Sequence, residues 1–356
     1  MKKILSTLGV VLAVLFLIRW IVWPALLTGV TVPDESDFQI DLAAVRSLAL
    51  EQGEQNLPLR INTLIVADAV FPEWTLYGRR RMPPQSNPDE EATPDHNETE
   101  RQSPSHVETQ SELQTDSQSE SERAALFQAP AEGVWISIPA FQVVYPEDSI
   151  LIDGAYDRVL HAELMGARDF DSNAYQRLQK EILRAQLILF THEHYDHMGG
   201  VARSPHLYDI RDRLLITEAQ MRSSLITDAR FPPAVLEVIT PIDYQGMYSP
   251  APGIVLLPAP GHTPGSQMIY VRLIGGREFL FIGDVVFQEA QLSERFSLPR
   301  LTTTVASMDA EAIAGQIQAL HALMRDSDVQ VVVSHDFPRL IQLMRSGALG
   351  EGFEDI

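Results

Sequence analysis

The sequence predicts a layered α/β domain with an apolar segment in front of it and an acidic insertion inside it. From residue 135 onward, short apolar runs alternate with helix-spaced stretches and turn residues, the pattern of strands covered by helices. Residues 82–128 are rich in Ser, Gln, Glu and Pro and poor in apolar side chains, and residues 4–18 carry no charge. The expected organisation is a membrane segment over residues 1–30 and one large domain over 31–356, interrupted at 82–128.

After Lys2 and Lys3 the chain reads ILSTLGVVLAVLFLI, followed by Arg19, Trp20, Ile21, Val22, Trp23 and Pro24. Residues 4–27 are long enough to cross a bilayer, with Arg19 snorkelling to the interface beside Trp20 and Trp23. A cleavable signal peptide is the rival reading, but no small-x-small site follows, so an uncleaved transmembrane helix is expected. Lys2 and Lys3 before the segment, with Asp34, Glu35, Asp37 and Asp41 after it, place the folded domain outside the cytoplasm.

Residues 38–50 have helical spacing, and residues 59–70 read as a strand. The tract 82–128 cannot bury enough apolar surface to offset its ordering entropy and is expected to be disordered. Strand-like sequence on both sides of it (INTLIVADAV and VWISIPAFQVVY) makes it a loop grown inside one domain. Further strands are expected at 134–145, 149–152, 186–190, 253–257, 268–273, 278–282 and 329–333, with helices at 173–185 and 309–324. Loops 221–233 and 287–304 have no recognisable motif and are expected to shape a pocket entrance.

The formal charge is −21. Eleven carboxylates against Arg101 and Arg123 put −9 of it in residues 82–125 and leave −12 elsewhere. Such a field repels phosphate backbones, and the one basic run is Arg79-Arg80-Arg81, so a small-molecule substrate is expected and a nucleic-acid partner is not. With no cysteine in the chain, disulfides, thiolate ligands and cysteine nucleophiles are excluded.

The chemistry concentrates after the run QLILF, where THEHYDHMGG supplies His192, His194, Asp196 and His197 within six residues. Three imidazoles and a carboxylate at that density suit metal ligation. If the strand continues through the motif, His192 and His194 share a face, and a tight turn then brings Asp196 and His197 round to a neighbouring ion. Downstream, His262 sits in the turn PGHTPG, Asp284 follows FIG, and His335 follows VVVS, each where a loop leaves a strand. His96 and His106 fall in the polar tract; His161, His206 and His321 stand alone and read as surface or core residues.

The ordered set HxHxDH, GHTPG, GD and SHD resembles the metallo-β-lactamase superfamily over roughly residues 61–337. The resemblance implies a four-layer αββα sandwich with the site at one edge between two sheets. It implies that His192, His194 and His262 hold one metal ion, that Asp196, His197 and His335 hold a second, and that Asp284 bridges both. Asp153, ending SILID, matches the superfamily's early Asp, which orients a ligating His. Two divalent ions, zinc or with this donor set iron or manganese, would share and activate a bridging water as hydroxide, and Asp196 and Asp284 are the catalytic carboxylates.

The resemblance also bears on substrate. The bridging Asp284, its 22-residue distance from His262 and the SHD ending are similar to N-acyl homoserine lactonases. Those enzymes place a Tyr three residues after the bridging Asp, where this chain has Phe287. Only twenty-one residues follow His335, with Arg339 and Arg345 their only bases, too little for the glutathione-gripping region of glyoxalase II. The expected activity is hydrolysis of a carboxylic ester or lactone. Thioester, β-lactam and phosphodiester hydrolysis remain open alternatives, as does a non-catalytic membrane-anchored scaffold. Tyr195 either lines the pocket or packs.

Overall fold

The computed structural model describes residues 22–83, 131–164 and 166–355. Among the described residues, twelve strands form two sheets. The first contains β1 (Arg60–Phe71), β2 (Val134–Val144), β3 (Ser149–Ile152), β4 (Ala167–Phe170), β5 (Leu187–Leu189), β6 (Leu214–Leu215) and β12 (Gly350–Glu351), in the order β12-β1-β2-β3-β5-β6 with β4 also on β1. The second contains β7 (Tyr248–Ala251), β8 (Ile254–Pro258), β9 (Gln267–Arg272), β10 (Glu278–Phe281) and β11 (Gln330–Val332), in the order β11-β10-β9-β8-β7.

Period-two alternation divides the core into three layers. From β2, Phe141 and Val143 face the second sheet, and from β8, β9 and β10 the residues Ile254, Leu256, Ile269, Val271, Phe279 and Phe281 face the first. Residues one step out of phase face helices. Ile136, Ile138 and Ala140 of β2 meet the helix Ser172–Arg184, here α2, through Ala174, Leu178 and Ile182. Val255, Met268, Tyr270 and Leu280 meet α1 (Leu42–Leu50) and α4 (Ala310–Asp326). Helix, sheet, sheet and helix are thus stacked in the expected αββα order, and strands buried on both faces read as continuous apolar runs.

Local signals set the element ends. The helix expected over 38–50 starts only at Leu42, because the Asp41 side chain accepts the Ala44 N–H at 3.0 Å and caps it. Asp171 caps α2 by accepting from Asn173 and Ala174 N–H groups at 2.8 and 2.9 Å. β1 and β2 pair without a break at their far end, Phe71 opposite Val134, so the chain leaves and rejoins the sheet at neighbouring positions. Residues 84–130, most of the insertion expected at 82–128, lie outside the described residues, as do His96 and His106. So do residues 1–21 of the expected transmembrane helix. Its last residues form only a short helix, Trp23–Leu26, and among the described residues no helix is long and apolar enough to cross a membrane.

Phe141 is fully buried between the sheets with its ring 4.7 Å from that of Phe281. Phe141→Ala is expected to cost about 3–5 kcal/mol, read from urea unfolding. A loss under about 1 kcal/mol would show that the intersheet layer is not the stabilising core.

Candidate metal centre

Strand direction gathers the site. β3 and β5 run parallel, as do β10 and β11, and β8 points the same way as β10 because both are antiparallel to β9. Loops leaving the C-terminal ends of these five strands therefore meet at one edge of the sandwich. They carry Asp153, residues 190–197, His262, Asp284 and His335.

The loop after β5 is held from several sides. The Phe190 carbonyl accepts from Gln220 Nε2 at 3.1 Å and from Gln267 Nε2 at 2.7 Å, and the Thr191 carbonyl accepts the Gln267 N–H at 2.8 Å. Asp153, in the left-handed region at φ 58°, accepts Thr191 N–H at 2.8 Å and the Thr191 hydroxyl at 2.9 Å. Its Oδ2 also lies 2.9 Å from His197 Nδ1. That contact leaves Nε2 facing the site, the arrangement by which a carboxylate orients a ligating imidazole.

The sequence expectation needs one correction here. β5 stops at Leu189, so His192 and His194 lie on the loop beyond it and do not share a strand face. The expected turn is the start of a helix, α3 (Tyr195–Ala202), with His194 at its N-cap and Asp196 and His197 in its first turn. Close packing requires this. A Cβ on Gly200 would stand 2.1 Å from the Gly154 carbonyl oxygen, so only glycine lets α3 settle against the Asp153 turn.

All seven predicted residues converge in two groups, His192, His194, His262 and Asp284, and Asp196, His197, Asp284 and His335. Within each group the candidate ligand atoms all lie within 4.8 Å of one another, and Asp284 belongs to both. His194 Nδ1 faces His192 Nε2 at 3.0 Å and His262 Nε2 at 2.9 Å, and His197 Nε2 faces His335 Nε2 at 3.3 Å. A tetrahedral zinc ion with bonds of about 2.0–2.1 Å would set such nitrogens roughly 3.3 Å apart. Asp284 Oδ2 lies 3.0 Å from His335 Nε2, 3.4 Å from His262 Nε2 and 3.8 Å from His192 Nε2. Asp284 Oδ1 and His262 Nδ1 are buried without a hydrogen-bond partner. Converging lone pairs with an orphaned buried carboxylate oxygen fit cations.

Electrostatics agree with that fit. Burial drives His192 well below its ordinary pKa and His262 down to about 3, leaving neutral imidazoles with lone pairs to donate. Burial alone would raise the Asp284 carboxyl, but His335, His197 and His192 outweigh it and hold the group well below the usual carboxylate range. His335 Nδ1 lies 2.7 Å from the Ser137 carbonyl, which turns Nε2 inward and ties β2 to the loop after β11.

Sequence reasoning missed Glu193. Fully buried between two histidines, its Oε2 accepts the Thr263 hydroxyl at 2.7 Å and its Oε1 accepts Gly265 N–H at 3.2 Å, pinning the His262 turn to the HxH loop. A Cβ on Gly265 would stand 2.6 Å from Glu193 Oε2, so the close approach depends on glycine. The local hint in the sequence was an acidic residue set between two histidines of the motif. Phe287 stacks on His335, with centroids 5.2 Å apart and 16° between planes, and meets His262 edge-on at 6.0 Å. Tyr195 stacks 6.1 Å from Tyr156. Of the solitary histidines, His161 is buried against the Tyr156 hydroxyl at 3.1 Å, and His321 Nδ1 lies 2.9 Å from the Leu292 carbonyl. His206 precedes the short helix Leu207–Ile210. The segments expected as loops at 221–233 and 287–304 include short helical turns at Ser224–Thr227, Glu289–Ser293 and Arg300–Val305.

A fold of two sheets between helices, with histidines and aspartates gathered at one edge, defines a metal-site α/β sandwich. The family model for the metallo-beta-lactamase superfamily matches residues 135–322, more than half of the chain, and the protein belongs to that superfamily. Among curated proteins it is similar to a "probable metallo-hydrolase" of Mycobacterium tuberculosis, 29% identical over 187 residues, covering 45% of this chain and 57% of the relative. An N-acyl homoserine lactonase of Bacillus cereus is 24% identical over 149 residues, covering 42% of this chain and 55% of the relative. The chain thus spans little more than half the length of these relatives. A solved quorum-quenching N-acyl homoserine lactone lactonase superposes with a TM-score of 0.53 at 13% identity, covering 83% of this chain and 99% of that one. An N-acyl homoserine lactone hydrolase with N-hexanoyl-L-homoserine at its metal centre gives a TM-score of 0.51 at 13% identity, covering 80% and 96%. These superpositions speak for the fold.

Asp153→Asn keeps the shape of the turn but disturbs the carboxylate contact to His197. Divalent-ion affinity is expected to fall about 10–100-fold, measured by competition with a chelator. Unchanged affinity would remove Asp153 from the positioning of His197.

Proposed function

We propose that the protein is a binuclear metal-dependent hydrolase acting on a carboxylic ester or lactone of a small molecule. The observation that carries this is Asp284, one buried carboxylate common to two converging donor groups. His192, His194 and His262 would hold one ion, Asp196, His197 and His335 the second, and Asp284 both. Zinc is the proposed metal, since its four-coordinate bond lengths match the imidazole spacings. Bound there, the ions would supply an activated water and a Lewis acid for the carbonyl oxygen.

The chain's own residues supply positioning and proton management. Asp153 and the Ser137 carbonyl fix the rings of His197 and His335. Glu193 holds the His262 turn in register. Asp284, with Oδ1 free of hydrogen bonds, can take a proton from the attacking water and return it to the leaving oxygen, and Asp196 flanks the same space, 17% exposed at its side chain. The Phe287 ring excludes water beside His335 and offers no hydroxyl to the substrate carbonyl. Any further carbonyl polarisation must then come from the ions. The ester or lactone class is supported by the relatives named N-acyl homoserine lactonase and by an acidic chain that disfavours polyanions.

The uncharged run 4–18 supports a membrane anchor, with the domain on the extracytoplasmic side.

Elemental analysis of purified protein is expected to find about two zinc ions per chain, and substrate panels to show turnover on lactones or esters. One ion per chain overturns the binuclear reading, and turnover confined to phosphodiesters, thioesters or β-lactams overturns the substrate class. Asp284→Ala is expected to lower kcat by about 10²–10⁴-fold. A variant that retains wild-type kcat would take Asp284 out of the chemistry.

A further inference from the structure

Away from the metal centre, three short segments distant in sequence pack into one surface: Trp23–Leu26, Glu73–Tyr77 and Arg300–Val305. The Arg300 N–H donates to the Thr28 carbonyl at 3.2 Å, the Thr302 hydroxyl donates to the Thr75 carbonyl at 2.6 Å, and Gly29 bridges to Pro299. Large apolar side chains on this surface stand in solvent, Trp23 at 49%, Trp74 at 45% and Val305 at 78% exposure, with Val22 at 41% beside them. A contiguous apolar patch of this kind marks an interaction site.

The patch is rimmed by positive charge in a chain whose net charge is −21. Arg79, Arg80 and Arg81 follow the Trp74 helix and are all exposed, as is Arg300. Arg79, Arg80 and Arg295 line a cavity of about 380 Å³ with residues 27–32, directly after Trp23–Leu26. The nearby carboxylates do not cancel this. Arg80 lies 3.9 Å from Glu294 and Arg295 3.1 Å from Asp34, while the Glu73 carboxylate accepts the Met82 N–H at 2.6 Å. Of these five arginines, Arg80 and Arg295 pair with a carboxylate. In sequence, Val22 follows the uncharged run 4–18 after Arg19, Trp20 and Ile21.

We propose that this surface docks the folded domain on an anionic lipid bilayer, with Trp23, Trp74 and Val305 at headgroup depth and the arginines on lipid phosphates. Tryptophan favours that depth because its ring is amphipathic, and arginine pairs with phosphate through several N–H groups. Paired tryptophans with clustered arginines fit a bilayer surface better than a protein groove, and the adjoining apolar sequence delivers the face to the membrane. The domain is then held flat against the lipid, beyond simple tethering through the N-terminal segment. This inference does not depend on the hydrolase reading.

The test uses the full chain carrying Trp20→Phe and Trp23→Phe, which leaves Trp74 and the buried Trp135 as emitters. Flotation with phosphatidylcholine vesicles reports the N-terminal anchor separately. In phosphatidylcholine–phosphatidylglycerol vesicles brominated high on the acyl chain, Trp74 emission is expected to fall by about half, with Trp135 unquenched. Adding Arg79→Gln, Arg80→Gln and Arg81→Gln, all at exposed positions, is expected to shift the docked-to-undocked ratio by about fivefold per charge removed and restore the emission. Unquenched Trp74 in protein that floats with the vesicles overturns the docking face and leaves the anchor. Failure to float on phosphatidylcholine overturns the anchor, and Trp74 quenching on the anionic vesicles then still decides the docking. Unquenched Trp74 with a dimeric chain in the bilayer assigns the face to a second copy and overturns the lipid.

Discussion

The structure is organised around one electrostatic constraint: a carboxylate, Asp284, buried at 4% exposure among His192, His197, His262 and His335. A buried charge is tolerated only when it is paired or bound to metal. Asp284 has an oxygen with no hydrogen bond, and His262 has a nitrogen in the same state. Without cations, such a cluster loses the hydration of every member, and His192 and His262, which burial keeps neutral, return little of it, leaving His197 and His335 to pair with the carboxylates. Cations in the two donor groups would reverse that balance, so the fold's stability and its chemistry share one interaction.

The neighbouring architecture serves to hold those donors at fixed separations. Ligand-bearing loops leave five strands that point the same way, and cross-links between the sheets sit at that edge. The Ser137 hydroxyl donates to the Ser334 carbonyl at 2.8 Å, and the Gln267 side chain reaches the Phe190 carbonyl at 2.7 Å. Glu193 and Asp153, neither of them among the donors that converge, each fasten a loop bearing one of the histidines. Function of this kind needs positions held to a fraction of an ångström by a supporting shell, which explains why buried polar residues gather around the converging donors.

How much of this the sequence announced depended on range. Strands near 60–71, 134–144 and 267–272 were legible because they are buried on both faces and long enough to show as apolar runs. β4, β6, β7 and β12 were not: ARDF, YSPA and GE are not apolar runs, and β6 is two residues long. The seven converging residues were legible because each falls where an apolar run stops. The helix beginning at Tyr195 was hidden by Gly199 and Gly200, which weaken helix propensity locally and are required by contact with Leu160 and Gly154. Glu193 was hidden for the same reason at longer range, because its partner Thr263 lies 70 residues away.

Charge ties the site to the rest of the molecule. The converging residues contribute two carboxylates, Asp196 and Asp284, against which the two proposed divalent ions would leave about two positive charges in a buried pocket. That local excess favours an oxygen acquiring negative charge as a carbonyl is attacked, and it acts undiluted because Phe287 and the buried imidazoles keep bulk water from one side. The surrounding chain has the opposite sign, which costs an extended polyanion far more than a small neutral ester that becomes charged only after binding. With the proposed ions bound, a positive centre inside a negative molecule would favour substrates whose charge develops at the metal centre over those that bring charge with them.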